Sequence, residues 1–196
     1  MGYGTNAIIF LIETIFGLYL LAVMLRMLLQ VVRADFYNPV SQFLVKVTNP
    51  PLIPLRRMIP GFGGIDFPAI VLMLAIQLIE VLLIVLVQGI SPVFLGLVVL
   101  AIAKLLFLLV NVFLFSILIQ VVISWVNPGA YNPVVSLLYS LNEPMLSRAR
   151  RILPPISGFD LSPILVMILF QLVKMLLIQP VYDVGEGIAV GRIQLW

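Results

Sequence analysis

Neither cysteine nor histidine occurs among the 196 residues. Their absence excludes a Cys–His nucleophile, a structural zinc site and His-ligated haem within the chain, and it leaves the redox state of the compartment unrecorded. Charge is scarce as well: 10% of residues are Asp, Glu, Lys or Arg and the formal net charge is +3, against about 25% charged residues in ordinary globular domains. So small a balance points to no nucleic-acid partner, and the meaning of the basic residues lies in their placement along the chain. What is abundant is apolar. A hydrophobic fraction of 63% and a mean hydropathy of +1.23 predict a polytopic membrane protein.

A transmembrane helix needs about 20 consecutive apolar residues. Four stretches qualify, at roughly Ala7–Val32, Ala69–Gln88, Pro92–Val126 and Ile164–Pro180. The first lacks the basic flank of a secretory signal and is expected to be a retained span. The third is long enough to tilt or to extend past the bilayer. Seven basic residues lie in two connectors: Arg33, Lys46, Arg56 and Arg57 in the first, Arg148, Arg150 and Arg151 in the second. Only Arg192 lies in a tail, and the turn Gln88–Pro92 has none. The positive-inside rule then predicts cytoplasmic connectors and outward termini, which in a bacterium means the cytoplasmic (inner) membrane.

The connectors are copies of one another. At an offset of 94 residues, Tyr37–Ile84 and Tyr131–Ile178 are identical at 19 of 48 positions. The polar and backbone-setting matches carry most weight: Tyr37/Tyr131, Asn38/Asn132, Pro39/Pro133, Pro50/Pro144, Arg56/Arg150, Arg57/Arg151, Pro60/Pro154, Gly64/Gly158, Asp66/Asp160 and Gln77/Gln171. The expected architecture is all-α, with four transmembrane helices as two tandem hairpins of like orientation, residues 1–90 and 91–196.

Within each connector the spacing predicts two short amphipathic helices. Asn38-Pro39 and Asn132-Pro133 have the form of an N-cap followed by proline at the first helical position. Val40, Phe43, Leu44 and Val47 then fall at i, i+3, i+4 and i+7, as do Val134, Leu137, Leu138 and Leu141. A second helix is expected from Asn49-Pro50, closed by Pro60, and from Glu143-Pro144, closed by Pro154. Arg56, Arg57, Arg148, Arg150 and Arg151 at the helix ends suit lipid phosphates or an acidic segment of a partner. The plainer reading is that they set topology alone. Gly64 and Gly158 fit sharp turns, and Asp66 and Asp160 stand ahead of the following spans, where they can cap a helix or pair with a connector arginine. The glycines lack the Lys-Ser/Thr of a phosphate-binding loop.

The order Tyr-Asn-Pro, Asn-Pro-x-Leu-x-Pro-Leu-Arg-Arg-x-Ile-Pro and Gly-Gly-Ile-Asp over Tyr37–Asp66 resembles the signature of the YggT family of bacterial membrane proteins, which has plastid and cyanobacterial relatives. The likeness covers nearly the whole chain, including its two-copy layout. The second copy departs from it where Arg148 replaces Pro54 and Ser157 replaces the first glycine of the pair. The resemblance implies links to osmotic-stress tolerance, to division or nucleoid placement, and in plastids to cytochrome b maturation. It brings no catalytic residues.

Glu13, Arg26, Glu80, Lys104 and Lys174 fall within or at the ends of apolar runs. A charge at the bilayer centre costs about 2.5–3.5 kcal/mol, so each requires a partner or a wet environment. Glu80 and Lys174 are equivalent under the repeat and lie at similar depth, which predicts a pair, with Gln77 and Gln171 one turn away. Glu13 and Lys104 both lie toward the outer side. Such contacts either hold the hairpins together or line an ion or proton path. No nucleophile–base set, metal cluster or cofactor loop appears, so enzymatic activity and a cofactor are not expected. The sequence points to a membrane scaffold or assembly factor that binds a protein partner or anionic lipid through its connectors. A small channel or transporter subunit is the alternative.

Overall fold

The computed structural model describes residues 2–61, 64, 66–127, 129, 132–155 and 160–191, and among these it is all-helical. Helix α1 covers Tyr3–Val31, α2 Pro39–Met58, α3 Phe67–Val87, α4 Phe94–Val126 and α5 Pro133–Ile152. The last span runs as α6 (Ser162–Val173), a π-helical segment (Lys174–Ile178) and α7 (Gln179–Ala189) without a break. Helices α1, α3, α4 and the composite Ser162–Ala189 are long and apolar enough to cross a membrane. In a bilayer core the backbone must satisfy its own hydrogen bonds, and uninterrupted helices of this length do so.

The final span continues past Pro180, where the sequence placed its end. Proline has no N–H to give and its ring crowds the carbonyl four residues back. The π-helical turn immediately before it widens the ladder and lets the helix continue. The extension packs closely on α4. A Cβ on Gly96 would stand 2.1 Å from the Ala189 nitrogen, and one on Gly185 would stand 2.8 Å from the Leu100 nitrogen. Glycine at both positions lets the two backbones approach, and Val93 N–H donates to the Ala189 carbonyl at 3.2 Å.

Each connector forms one helix rather than two. Pro50, Pro51 and Pro54 lie inside α2, and Pro144 lies inside α5. An interior proline costs about 3 kcal/mol, so something must hold the halves in line. In α2 that is a buried column at i, i+4 and i+8: Leu44, Thr48 and Leu52. Leu52 packs among Leu20, Val23 and Met24 of α1 and Ala69 and Leu72 of α3, and Leu141 of α5 joins the same core. In α5, Asn142, Leu146 and Ala149 are buried on both sides of Pro144. The connectors are thus wedged between the ends of the spans, and tertiary packing overrides the local start signals at Asn49 and Glu143.

Candidate functional site

Two polar layers lie at different depths. The deeper one centres on Glu80, which is 4% exposed. Its Oε1 accepts a hydrogen bond from Lys104 Nζ at 2.7 Å and its Oε2 accepts one from Gln77 Nε2 at 2.8 Å. Lys104 Nζ also stands 3.8 Å from Glu13 Oε1. The expected Glu80–Lys174 pair does not form. Helix α4 lies between α3 and α6 and touches both, so it supplies a separate partner to each. Lys174 Nζ instead donates to Asn111 Oδ1 at 2.8 Å and sits 5.8 Å from the centroid of the Phe107 ring. Gln77 is buried beside its glutamate, whereas its repeat equivalent Gln171 is exposed. Lys104, Phe107 and Asn111 form one stripe of α4 at i, i+3 and i+7.

Beside Lys104 is a cavity of about 130 Å³, lined from all four spans by Glu13, Gln88, Lys104, Tyr182 and Glu186 together with aliphatic side chains. Toward the connectors, Leu20, Val23 and Met24 of α1 pack with Leu72 and Met73 of α3 in one apolar cluster.

The second layer lies where the connectors meet the spans. Arg26 is 4% exposed, and its Nη1 donates to Thr48 Oγ1 at 2.6 Å while its Nε has no hydrogen-bond partner among the described residues. Thr48 Oγ1 in turn donates to the Leu44 carbonyl at 2.6 Å. The offset of 94 carries Arg26 and Thr48 onto Gln120 and Asn142. There Asn142 Nδ2 donates to Gln120 Oε1 at 2.8 Å, and Ser116 Oγ donates to Asn142 Oδ1 at 2.7 Å. The sequence marked Arg26 as a charge in need of a partner but named neither Thr48 nor the Gln120–Asn142 pair. Applying the repeat offset to Arg26 would have found both, because it lands on a glutamine inside an apolar run.

The connector arginines divide into two groups. Arg56 is ion-paired with the buried Asp66. Its equivalent Arg150 donates from Nε to Asp160 at 2.8 Å and from Nη1 to Glu143 at 2.7 Å. Glu143 therefore serves as an ion-pair partner inside α5, not as a cap. The Asp160 bond is the main reason the Arg150 guanidinium is raised above its ordinary range, against some desolvation. Desolvation pushes the Asp160 carboxyl up, but hydrogen bonds from Ser162 and Arg150 outweigh it and leave the group below its ordinary value of 3.8. Arg57, Arg148 and Arg151 are exposed and join no ion pair among the described residues.

The remaining connector residues shape the backbone. Asn38 Oδ1 accepts from Val40 N–H at 2.9 Å, and its Nδ2 donates to the Pro133 carbonyl at 2.7 Å, joining the two connectors. Asn132 Oδ1 accepts from Val135 N–H at 3.0 Å. Pro39 and Pro133 occupy first helical positions, while Pro60 and Pro154 follow the helix ends. Gly64 has φ +82°, a backbone region that disfavours a side chain. Gly158, like Tyr131, Ser157 and Arg192, lies outside the described residues.

A family model described as CCB3/YggT matches the chain twice, over residues 5–87 and 99–181. The chain is 46% identical over 180 residues to an uncharacterised protein of Pseudomonas aeruginosa, covering 91% of each. It is 34% identical over 194 residues to the uncharacterised protein YggT of Escherichia coli strain K12, covering 97% of this chain and 98% of that one. A Vibrio alginolyticus relative is 39% identical over 181 residues, 88% of this chain and 94% of its own length. No solved structure matches the chain. On a model that spans both repeats, this chain belongs to the CCB3/YggT family.

Proposed function

We propose that the protein is a non-enzymatic scaffold or assembly factor of the bacterial inner membrane. It acts through its two connectors on a membrane-protein partner or anionic lipid, in osmotic-stress tolerance or in cell-envelope and division processes. The connectors face the cytoplasm and both termini lie outside, on the strength of the Lys and Arg bias. The observation that carries the reading is the division among the arginines. Arg56 and Arg150 are engaged within the chain, whereas Arg57, Arg148 and Arg151 present exposed guanidinium groups that join no ion pair among the described residues. A guanidinium so placed suits a carboxylate or phosphate from another molecule.

The test is an R57Q/R148Q/R151Q variant returned to a deletion strain. Normal insertion with loss of osmotic tolerance and of partner cross-linking supports the scaffold; full complementation overturns it.

A second reading, a subunit of a small channel or transporter, draws on the cavity lined from all four spans. Against it stands the pairing of the buried Glu80 with Lys104. Ion flux in proteoliposomes that disappears in a folded E80Q variant would establish the channel instead.

A further inference from the structure

The two connector helices present different free faces. On α2, the exposed residues Phe43, Lys46, Val47, Ile53, Arg57 and Met58 lie on one side at 100° per residue, opposite the buried Leu44, Thr48 and Leu52. Four apolar side chains therefore interleave with two cations, and α2 contains no acidic residue. Four of the six equivalent positions of α5 differ in kind, while Arg151 and the exposed Ile152 keep the character of Arg57 and Met58. Leu137 and Leu141, which correspond to Phe43 and Val47, are 6% and 3% exposed where Phe43 and Val47 are 61% and 37%. Lys46 and Ile53 are replaced by Ser140 and Ser147, so at these four positions α5 offers neither a cation nor an exposed apolar side chain.

We propose that the free face of α2 is a binding surface for anionic phospholipid, with head-group phosphate at Lys46 and Arg57 and acyl chains along Phe43, Val47 and Ile53. The helix is tied at both ends to candidate spans, α1 and α3, which holds it at the level where they leave the membrane. Apolar side chains there enter the acyl boundary while cations reach the phosphates. The charge complementarity is one-sided, since the face offers two cations and no anion. This inference rests on the connector reading above and names the ligand of the first connector.

The chain has no cysteine, so single-cysteine probes are clean. Bimane-labelled Ile53→Cys and Ser147→Cys proteins are placed in nanodiscs containing phosphatidylglycerol. Brominated acyl chains should quench the probe at position 53, and aqueous iodide should quench the one at 147. In parallel, phosphatidylglycerol is titrated into the detergent-solubilised full chain and read by native mass spectrometry. K46Q/R57Q should weaken retention about 30-fold, the factor for removing two cations from an anionic surface, and S140A/S147A, at the α5 equivalents of Lys46 and Ile53, should leave it within a few-fold. Iodide quenching alone at position 53, equal lipid loss in both double variants, or disulfide dimers of a Phe43→Cys chain would overturn the proposal; the last would assign the face to a second copy. The scaffold phenotype can be lost or kept without moving either optical signal, so the two readings fail separately.

Discussion

In the first repeat the joint between span and connector is a buried cation, Arg26 on Thr48; in the second the same joint is the neutral triad Ser116–Asn142–Gln120. The same contrast recurs deeper, where Glu80 meets the charged Lys104 but its equivalent Lys174 meets the neutral Asn111. It recurs again at the rim, where Asp66 is 4% exposed and the Asp160 side chain 33%. Duplication kept the backbone positions and changed the electrostatics. A charge taken out of water needs a dedicated partner, whereas amides and hydroxyls satisfy one another with less desolvation. The first repeat is therefore the one whose integrity depends on pairing.

The sharpest way to break that contrast is at depth. Lys104→Met strands the buried Glu80 carboxylate and should lower stability by about 3–5 kcal/mol, with E80Q/K104M recovering most of it. Lys174→Met removes a bond to a neutral acceptor and should cost about 1.5 kcal/mol or less. Thermal unfolding in detergent compares the two, and equal losses would erase the distinction.

Exchanging the joints gives the next largest effect. R26Q/T48N installs the neutral pair in the first repeat and should stay within about 1 kcal/mol of the parent. The reverse exchange, Q120R/N142T, buries an arginine in a joint built from the neutral groups of Ser116, Gln120 and Asn142. It should cost about 2–3 kcal/mol, the insertion penalty of an unpaired arginine. Urea unfolding of both variants reads this out.

At the rim, Asp66→Asn should cost about 1.5–3 kcal/mol because it removes a buried charged hydrogen bond. Asp160→Asn should cost less than about 1 kcal/mol, as a partly solvated pair does. A similar loss in both would mean that burial does not separate the two ion pairs.

The smallest effect is one of pH. The folded-state value of Asp160 lies below its ordinary value of 3.8. Its contribution is therefore complete above that ordinary value and disappears as pH falls through the lower folded one. Asp160→Asn should remove this component of the acid sensitivity, measured as the pH dependence of the melting temperature between pH 5 and about 2.5.

Composition and internal repetition by themselves determined the all-helical class, the four apolar spans and the tandem layout. They did so because long apolar runs in a bilayer have few backbone solutions, and because a fixed offset survives divergence. Side-chain partners were decided only by the tertiary structure. Equal depth made Glu80 and Lys174 look like a pair, but depth says nothing of azimuth, and α4 stands between them. Asn49-Pro50 read locally as a helix start, yet the unbroken burial of Leu44, Thr48 and Leu52 keeps α2 whole. Pro180 read as a terminus, yet a π turn carries the helix past it to Ala189, where Gly96 lets α4 approach. Sequence spacing sets which residues share a face of one helix. Which neighbour that face meets is set by how the helices pack around one another.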